Sequence, residues 1–599
     1  HRDLHRLIRR QRQMCIRDRR KDTPEEKIRQ DVARSLVEEY GYNKDDMGLE
    51  FPIKMGRARK RVDIVIFDEE SEKIQENIHT IVEVKPENIK PSDRKEGIEQ
   101  LKSYVAACPN TKFALWIGSE RLAFKVIEEK GRRKLEEIPD IPKKGETTIP
   151  RPTRGSLVPA VNLKQVFKRI HNYIYVNQGF QKDKAFEELL KLIFIKVYDE
   201  QYSPSLQFYV LPEEDINKVR KRLNDVFKKV QSRYRYIFKG NEIIELNDTV
   251  LRYVVSELQR FSLVDTETDV KGEAYEEIVG PNLRGDRGEF FTPRNVCNMT
   301  IDMLFALIKE ERLTSPGGMK ILDPAVGTGG FLIAGVQRIR QLFLERGFKY
   351  DRLRDLVRDV ANANFYGIDF NPFLVKVAQM NMVMYGDGSA NIVHANSLEH
   401  HSNWNSEAKS KIKFGEFDIV VTNPPFGTKA IIDNPDILSQ FELTTFGTNS
   451  PRTALPPEQL FIERCLNFLK PGGFLGIVLP DSILSNPGLK WVREWILKKA
   501  YIIASIDLPV ETFEPHTGTQ TSILILKKKT PEQEKLKEDY EMFMVIPEKV
   551  GHDRRGNPIY KTTPDGEIAV DEDGNPIIED YLPSIVKAFK QWLRGKGII

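Results

Sequence analysis

The most constraining feature of the 599-residue chain is a glycine-rich turn between an apolar segment and an amphipathic one. Ile321-Leu322 leads into residues 323–330, DPAVGTGG, and a helical apolar pattern follows. The order strand, glycine turn, helix is typical of open α/β sheets, which bind ligands at the carboxyl ends of their strands. Glycine lets the backbone approach a ligand closely. We therefore predict a ligand crevice at this turn, which includes Asp323, Ala325, Gly327, Thr328 and Gly329.

The residues around this turn predict a doubly wound, Rossmann-like sheet. From about 288 to 527, short apolar runs alternate with helical stretches, which is the pattern of a parallel sheet with covering helices. The predicted strands are Ile321-Leu322, Phe365–Ile368, Asp418–Thr422, Phe474–Leu479, Ile502–Ile506 and Ser522–Leu526.

Composition and residue spacing argue against a disordered, membrane-spanning, secreted or zinc-binding protein. Apolar residues make up 40% of the chain and charged residues 30%, with a net charge of +4, which is ordinary for a globular protein. No apolar run of about 18 residues and no signal sequence is present, so we expect a soluble, cytoplasmic protein. The cysteines lie far apart and form no zinc-binding pattern.

The periodicity of the chain predicts several regions. The arginine-rich residues 1–23 lack an initiator Met and are interpreted as an artefactual or disordered leader. A small α/β domain is expected next, followed by a linker rich in Pro, Lys and Thr and by a mostly helical domain. The predicted boundaries are 24–137 for the α/β domain, 138–158 for the linker, 159–272 for the helical domain, 273–530 for the doubly wound domain and 531–599 for a C-terminal extension.

A second motif follows the strand Asp418–Thr422. It reads Asn423-Pro424-Pro425-Phe426, and its prolines make a rigid turn that can hold the Asn423 side-chain oxygen and the Pro424 carbonyl as paired acceptors. Such a pair would make the lone pair of a conjugated exocyclic amine available for attack on a methyl sulfonium. Phe426 offers a stacking face for an extruded base. These four residues are the candidate catalytic group.

Two further strand ends lie near the predicted crevice. Asp369 ends a strand at the position from which a carboxylate typically accepts hydrogen bonds from ribose hydroxyls, and Asn396 ends the next strand. Neither a phosphate loop nor a GxGxxG turn is present. These strand ends alone would also suit a dinucleotide, whereas the Asn423 motif indicates methyl transfer.

The front of the chain contains a second candidate site. Asp63 lies in the strand VDIVIF, and Glu83 and Lys85 share one face of the strand IVEVK. Asp63 and Glu83 together can hold Mg²⁺, and Lys85 can support an attacking water or the phosphate charge. Gln100 and Tyr104, four residues apart on the following predicted helix, can flank this site.

The motifs FFTP, DPAVGTGG, GIDFNP and NPPFG, in this order, resemble the N6-adenine DNA methyltransferases, specifically the methylase subunits of type I restriction-modification systems. The resemblance implies that the glycine turn and Asp369 bind S-adenosylmethionine, that Phe291, Thr292 and Pro293 help to enclose it, and that the Asn423 motif holds the target adenine. Residues 24–130 resemble the PD-(D/E)xK nuclease domain of type I restriction endonuclease subunits, although Val62 stands where that pattern has a proline.

Together these resemblances imply a restriction-modification protein that acts on double-stranded DNA, with a nuclease-like domain fused to an adenine methyltransferase. The region after Thr521 is short for a target-recognition domain, so we expect a separate specificity subunit, while a chain truncated at both ends stays open. Two alternatives also stay open. The enzyme could methylate glutamine side chains of proteins, or its front domain could be a docking or assembly module without catalysis.

Overall fold

The computed structural model describes residues 24–129, 131–160, 162–238, 240–266, 270, 274, 292–386, 388–427, 431–515, 517–536, 539–571 and 576–596. Contacts divide the chain into two compact units that meet in sequence between Asn282 and Leu283. The predicted boundary at 272 and the observed division both fall in a stretch that lies mostly outside the described residues. Within the described part of the chain, no helix combines the length and the apolarity that a membrane-spanning segment requires.

The front of the first unit is a six-stranded sheet in the order β1-β2-β3-β4-β5-β6. Only β3 and β4 are parallel, and the other neighbours are antiparallel. The predicted small α/β domain is confirmed. Its elements are α1 (Pro24–Glu38), β1 (Met47–Met55), β2 (Ala58–Phe67), β3 (Ile78–Val84), α2 (Ile98–Ala107), β4 (Phe113–Ile117), β5 (Arg121–Glu129) and β6 (Arg132–Ile138).

Alternation along the strands builds the core of this sheet. Ile64 and Ile66 of β2 pack with Val82 and Val84 of β3, each at most 1% exposed, and Leu36 of α1 covers them. Because side chains alternate between the two faces of a strand, Asp63 and Glu83 lie on the opposite face from this cluster. The hydrophobic pattern therefore fixes the face on which the front candidate site forms.

The second part of the first unit is helical, as predicted. Its elements are β7 (Val158–Pro159), α3 (Leu163–Gln178), α4 (Lys182–Tyr202), α5 (Ile216–Arg233), α6 (Asp248–Leu258) and β8 (Phe261–Ser262), with the two short strands paired in parallel. Asp215 and Asn247 begin α5 and α6 by accepting backbone hydrogen bonds from Asn217 and Val250. Such caps satisfy amides that have no partner within the helix.

The predicted linker 138–158 is wrong at its beginning. Ile138 and Ile141 are buried in the core of the front sheet, and Asp140 is 5% exposed. The Asp140 carboxylate accepts hydrogen bonds from Tyr40 and from the Arg121 guanidinium. Turn-forming composition indicated a free segment, but a buried ionic cluster holds this stretch in place.

That cluster joins the front sheet to the helical part. Arg121 of β5 lies 3.3 Å from Glu257 of α6, and Arg169 of α3 lies 2.7 Å from the same carboxylate. Glu257 is 1% exposed. Although burial acts to raise it, the guanidinium groups of Arg169 and Arg121 hold the pKa of Glu257 below its ordinary value.

The second unit contains an eight-stranded sheet in the order β11-β10-β9-β12-β13-β15-β14-β16. The strands from β11 to β13 are parallel, and β15 runs antiparallel to both of its neighbours. The predicted doubly wound α/β fold is confirmed. The strands are β9 (Ile321–Asp323), β10 (Phe365–Asp369), β11 (Ile392–His394), β12 (Phe417–Thr422), β13 (Leu469–Pro480), β14 (Ala500–Leu508), β15 (Thr521–Lys528) and β16 (Phe543–Val545).

Helices cover this sheet and lie between its strands. They are α7 (Arg294–Phe305), α8 (Glu310–Leu313), α9 (Gly330–Glu345), α10 (Tyr350–Asn364), α11 (Pro372–Tyr385), α12 (Ser406–Lys411), α13 (Pro435–Leu438), α14 (Pro457–Phe468), α15 (Ser482–Ser485), α16 (Lys490–Lys499) and α17 (Leu582–Gly595). One large apolar core includes Leu322, Ile368, Val420, Leu475 and Leu524. The sheet is therefore buried, as parallel sheets generally are.

The C-terminal extension joins the same unit. Strand β16 lies at the edge of the sheet, and the Phe543, Phe589 and Trp592 rings form an aromatic cluster that seats α17. The predicted turn at 555–558 is present as a bridge between His552 and Pro558. Most of the second predicted turn, 573–576, lies outside the described residues.

Removal of the Glu257 charge tests the ionic cluster. We expect Glu257→Gln to lower the free energy of unfolding of the first unit by about 3 to 5 kcal/mol, because it removes the carboxylate that pairs with Arg169 and one of the two that pair with Arg121. Thermal unfolding followed by circular dichroism measures the change. The control is Glu99→Gln, which breaks an exposed pair with Lys102 and should cost at most about 1 kcal/mol. Equal effects of the two variants would contradict the assigned role of the cluster.

Candidate active site

The glycine turn and the Asn423 motif lie at the point where the strand order of the large sheet reverses. Strands β9 and β12 are neighbours, and β10 and β11 follow on one side while β13 follows on the other. In open α/β sheets such a switch point leaves a crevice beyond the carboxyl ends of the strands. The turn follows β9 and the Asn423 motif follows β12, so the topology brings both predicted motifs to one crevice.

The backbone of the glycine turn is held by its neighbouring strand. Gly327 and Gly329 have φ angles of +52° and +88°, which side chains disfavour. The Gly327 N–H donates to the Asp369 carboxylate at 2.9 Å, and the Val326 N–H donates to the Ile368 carbonyl at 2.9 Å. A Cβ atom added at Gly327 would meet nothing within 4 Å, so the turn presents open backbone.

Asp323 and Asp369 form a carboxylate pair beneath this turn. Asp323 is 2% exposed and accepts the Ala325 N–H at 3.1 Å. Burial, with the nearby Asp369 charge, raises the pKa of Asp323 to about 7. A cationic ligand group placed here would favour the ionised form of both carboxylates.

The remaining predicted cofactor residues of this region brace the turn and the next strand end. The Thr328 carbonyl accepts a hydrogen bond from Asn381 at 3.0 Å. The Asn396 side-chain oxygen accepts the Leu398 N–H at 3.0 Å, so it closes the turn after β11.

Asn423 is held in one orientation by Thr292. The Asn423 Nδ2 donates to the Thr292 Oγ1 at 3.1 Å. This bond uses one of the two amide N–H groups and directs the Oδ1 atom away from Thr292. In the described part of the chain Oδ1 is buried and has no hydrogen-bond partner. An unpartnered buried acceptor costs about 1 to 3 kcal/mol. Such an acceptor is typical of a group that binds a ligand.

Helix α7 positions Thr292 and Pro293, which directly precede it. It packs closely on the start of α9, where a Cβ on Gly330 would lie 3.2 Å from the Cys297 Sγ. The sequence predicted that this segment encloses a cofactor, but it did not indicate the contact with Asn423. The predicted residue Phe291 lies outside the described residues.

The rest of the Asn423 motif is packed. Pro424 is buried, Pro425 is half-buried and Phe426 is 8% exposed. The prediction of an open stacking face on Phe426 therefore stays a prediction. Sequence reasoning missed Glu458, whose carboxyl accepts the Gly427 N–H and whose pKa is raised by burial. In the sequence, the only feature that could have indicated Glu458 is its position directly after two prolines.

The structure brings together Asp63, Glu83 and Lys85 in the first unit. Lys85 Nζ lies 2.9 Å from Glu83 and 3.8 Å from Asp63, and the Val84 N–H donates to Asp63 at 2.9 Å. Glu83 is 1% exposed and its Oε1 is among the buried atoms without a hydrogen-bond partner in the described residues. Burial, followed by the Asp63 charge, raises the pKa of Glu83 to about 8.

Two residues of this site were missed from the sequence. The pairing of β1 with β2 places Glu50 across from Asp63, and Arg29 of α1 lies 3.0 Å from Glu50 and 3.5 Å from Asp63. Glu50 has a φ of +46°, a strained angle for a side chain other than glycine. Strain of this kind is concentrated at functional sites. Long-range pairing created this arrangement, so no local pattern could indicate it.

Gln100 and Tyr104 flank the same site, as predicted. Gln100 Nε2 donates to the Tyr104 hydroxyl at 2.6 Å. Burial raises the pKa of Tyr104, and charges on Glu83, Lys85 and Asp63 also act on it. Over the described ranges, no three His, Cys, Asp or Glu side chains are grouped to hold a metal ion. Any cation here would rest on two carboxylates and on water.

Comparison with protein families identifies a domain in each unit. Residues 266–559 match the family described as N-6 DNA Methylase. This region is an N-6 DNA methylase domain. Residues 24–142 match the Type I restriction enzyme R protein N terminus, which covers the six-stranded sheet and the buried start of the predicted linker.

Curated relatives match the methylase region of the chain. The EcoEI methylase subunit of a type I restriction enzyme from Escherichia coli is 27% identical over 295 residues, which is 48% of this chain and 52% of the relative. The type II restriction enzyme and methyltransferase RM.BcgI from Heyndrickxia coagulans is 28% identical over 302 residues, or 49% of this chain and 40% of the relative. The chain spans about half the length of these relatives.

A solved structure is also similar. It is a type I restriction-modification methyltransferase subunit from Streptococcus thermophilus, with 17% identity and a TM-score of 0.47, covering 74% of this chain and 94% of that one.

Proposed function

We propose that the chain is a site-specific DNA-adenine N6 methyltransferase of a restriction-modification system. The observation that carries this proposal is the buried Asn423 Oδ1, an acceptor without a partner in the described residues, held by Thr292 beside the switch-point crevice. An exocyclic amine of adenine has two hydrogens and is the kind of donor that such an acceptor requires. The match of residues 266–559 to the N-6 DNA methylase family supports this assignment.

The residues of the crevice fit S-adenosylmethionine. The open backbone at Gly327 would admit the ligand, Gly329 supplies the second positive φ of the turn, and the carboxylates of Asp323 and Asp369 suit a cationic molecule that carries a ribose. We assign Ala325, Thr328, Asn396 and the segment Phe291, Thr292 and Pro293 to the same site by their places around the turn. When bound, S-adenosylmethionine supplies a methyl group on a sulfonium.

The Asn423 motif acts on the amine. The nitrogen lone pair of adenine N6 is delocalised into the ring, and it becomes available when the amine hydrogens bond to acceptors outside the ring plane. Asn423 Oδ1 accepts one hydrogen and the Pro424 carbonyl accepts the other, while Pro425 keeps the turn rigid. These acceptors stabilise the positive charge that develops on N6 as the methyl group arrives.

The target adenine must leave the duplex to reach this motif. Extrusion costs a few kcal/mol, and stacking on an aromatic ring returns about 1 to 3 kcal/mol. We assign that stacking to Phe426. Because its ring is largely covered, the step requires the base to approach from the Asn423 side or the Phe426 side chain to move.

A methyl-transfer assay separates DNA from protein as the substrate. The NPP motif also suits transfer to glutamine amides, and the R protein N-terminal match favours DNA. Labelled S-adenosylmethionine is offered with duplex DNA and, separately, with a protein extract. Label in N6-methyladenine supports the proposal, whereas label in protein alone contradicts it.

We further propose that the front site supports Mg²⁺-dependent cleavage of DNA. Glu83 and Asp63 are adjacent carboxylates, one of them with a free buried oxygen, and this donor set fits a divalent cation that keeps several waters. The cation would neutralise phosphate charge when bound. Lys85 would orient a water or a phosphate oxygen. The alternative, a docking or assembly module, predicts no cleavage.

The proposed substrate also bears on where the enzyme acts and on its partner subunit. Because the proposed substrate is double-stranded DNA, we propose that the enzyme acts in the cytoplasm. A specificity subunit, acting in trans, would choose the target sequence, as the resemblance to type I systems implies.

Asn423→Ala is expected to abolish methyl transfer, with a loss of at least about 10²- to 10³-fold, because it removes an acceptor used in the transition state. The affinity for S-adenosylmethionine, measured by calorimetry, should stay nearly unchanged, since Asn423 addresses the amine. Asn403→Ala, at an exposed asparagine of the same unit, is the matched control. A large loss of S-adenosylmethionine affinity in Asn423→Ala would contradict this division of roles.

Thr292→Val tests the positioning of Asn423. Loss of the hydroxyl acceptor frees the Asn423 amide, so kcat should fall about tenfold, equivalent to about 1.4 kcal/mol. The KM for S-adenosylmethionine should change less than kcat, and Thr292→Ser should restore kcat. A raised KM without a change in kcat would instead show that Thr292 acts only on the cofactor.

Glu83→Gln and Lys85→Met are each expected to remove Mg²⁺-dependent cleavage of unmodified DNA while leaving methyl transfer intact. The first change deletes a cation ligand and the second deletes the charge beside it. Glu128→Gln is the control, because Glu128 is an exposed carboxylate on β5 of the same sheet. Cleavage that survives both substitutions would reject the front site, and absence of cleavage in the unmodified chain would favour the docking alternative.

A further inference from the structure

The hairpin between β1 and β2 carries an exposed cluster of positive charge. Residues 54–61 read KMGRARKR and contain five cations and no acid. All five side chains, Lys54, Arg57, Arg59, Lys60 and Arg61, are exposed. We call these residues the basic hairpin.

Local electrostatics does not account for the basic hairpin. Within the described residues, Arg61 pairs with Glu50 at 3.0 Å, and no ion pair joins Lys54, Arg57, Arg59 or Lys60 to a carboxylate. The register sets Lys54 directly opposite Arg59. Like charges at such cross-strand positions are destabilising. The fold therefore tolerates a repulsion that an external anion would relieve.

The alternation of β2 connects the hairpin to the front site. Val62 and Ile64 are fully buried, so the side chains of Arg59, Arg61 and Asp63 share the opposite face of the strand. At about 3.3 Å per residue, Arg61 lies roughly 7 Å and Arg59 roughly 13 Å from Asp63 along the strand. A row of cations thus leads to the carboxylates that we assign to cleavage.

We propose that the basic hairpin is a docking surface for the phosphate backbone of duplex DNA, with Arg59 and Arg61 guiding one strand toward Asp63 and Glu83. The proposal rests on the proposed action of the front site on DNA. Guanidinium groups bind phosphate oxygens in a bidentate manner, and contacts of this kind position a duplex without reading its sequence. The hairpin would thus add a sequence-independent contact that is separate from the methyltransferase crevice.

The same sheet offers a matched control at its opposite edge. Arg132 and Lys134 are also exposed, also two residues apart on one strand, and Lys134 also has one acidic partner, Glu129. The test compares the full-length variants Arg59→Ser/Arg61→Ser and Arg132→Ser/Lys134→Ser. Both lose two positive charges from an exposed hairpin strand.

Affinity for a duplex of random sequence is measured without divalent metal at several salt concentrations. Each phosphate contact contributes a slope of about 0.9 to the dependence of log affinity on log salt, so the basic-hairpin variant should lose about 1.8 in slope. At 0.1 M salt its affinity should fall roughly ten- to hundredfold, and the control should match the unmodified chain. Methyl transfer to DNA should persist in both variants at high DNA concentration.

Three other outcomes distinguish the docking surface from its alternatives. If the basic-hairpin variant and the control have the slope of the unmodified chain, the docking surface is rejected while cleavage and methylation remain open. If both variants lose slope equally, the loss reflects the overall charge of the protein. This result also rejects the basic hairpin as a docking surface. Loss of slope with cleavage absent in the unmodified chain supports docking and rejects only the catalytic assignment of the front site.

Discussion

A single hydrogen bond, from Asn423 Nδ2 to Thr292 Oγ1, determines what the crevice of the second unit can do. It uses the donor half of an amide and leaves the acceptor half buried without a partner in the described residues. The bond exists only because α7 places Thr292 beside the end of β12, and that position depends on the packing of α7 against the start of α9. The unsatisfied oxygen is the cost of an acceptor that is ready for a substrate amine.

The topology of the large sheet explains why this acceptor and the glycine turn lie together. The strand order reverses between β9 and β12, so their carboxyl ends border one crevice. Asp369, at the end of the neighbouring strand, holds the turn through the Gly327 N–H. The cofactor turn and the amine acceptor are therefore both supported by the sheet.

Two buried carboxylates of the first unit obey different electrostatic constraints. The pKa of Glu257 is lowered despite its burial, because the Arg169 and Arg121 guanidinium groups face it. The pKa of Glu83 is raised by its burial and then by the Asp63 charge, although Lys85 lies beside both carboxylates. The first arrangement joins the sheet to the helices. The second leaves negative charge under-compensated, as expected of a site that takes up a cation.

Local patterns in the sequence were enough to predict the doubly wound fold, the glycine turn, the Asn423 motif and the strand placement of Asp63 and Glu83. Strand alternation and turn chemistry depend on consecutive residues, so they can be recognised in the sequence. The contacts that the sequence could not indicate are long-range. Thr292 accepts a hydrogen bond from a residue 131 positions away, Arg29 contacts Asp63 34 positions away, and Asp140 accepts a hydrogen bond from Tyr40 100 positions away. The prediction of a linker that begins at residue 138 was wrong for the same reason, because long-range contacts bury Ile138, Asp140 and Ile141.

The most direct test of the central claim is a structure of the protein with S-adenosylhomocysteine and a duplex that it methylates. The account predicts an extruded adenine whose N6 atom lies within hydrogen-bond distance of Asn423 Oδ1 and the Pro424 carbonyl, with Thr292 still accepting from Asn423 Nδ2. An adenine seated elsewhere, or an Asn423 Oδ1 bonded to the protein instead of the base, would contradict it.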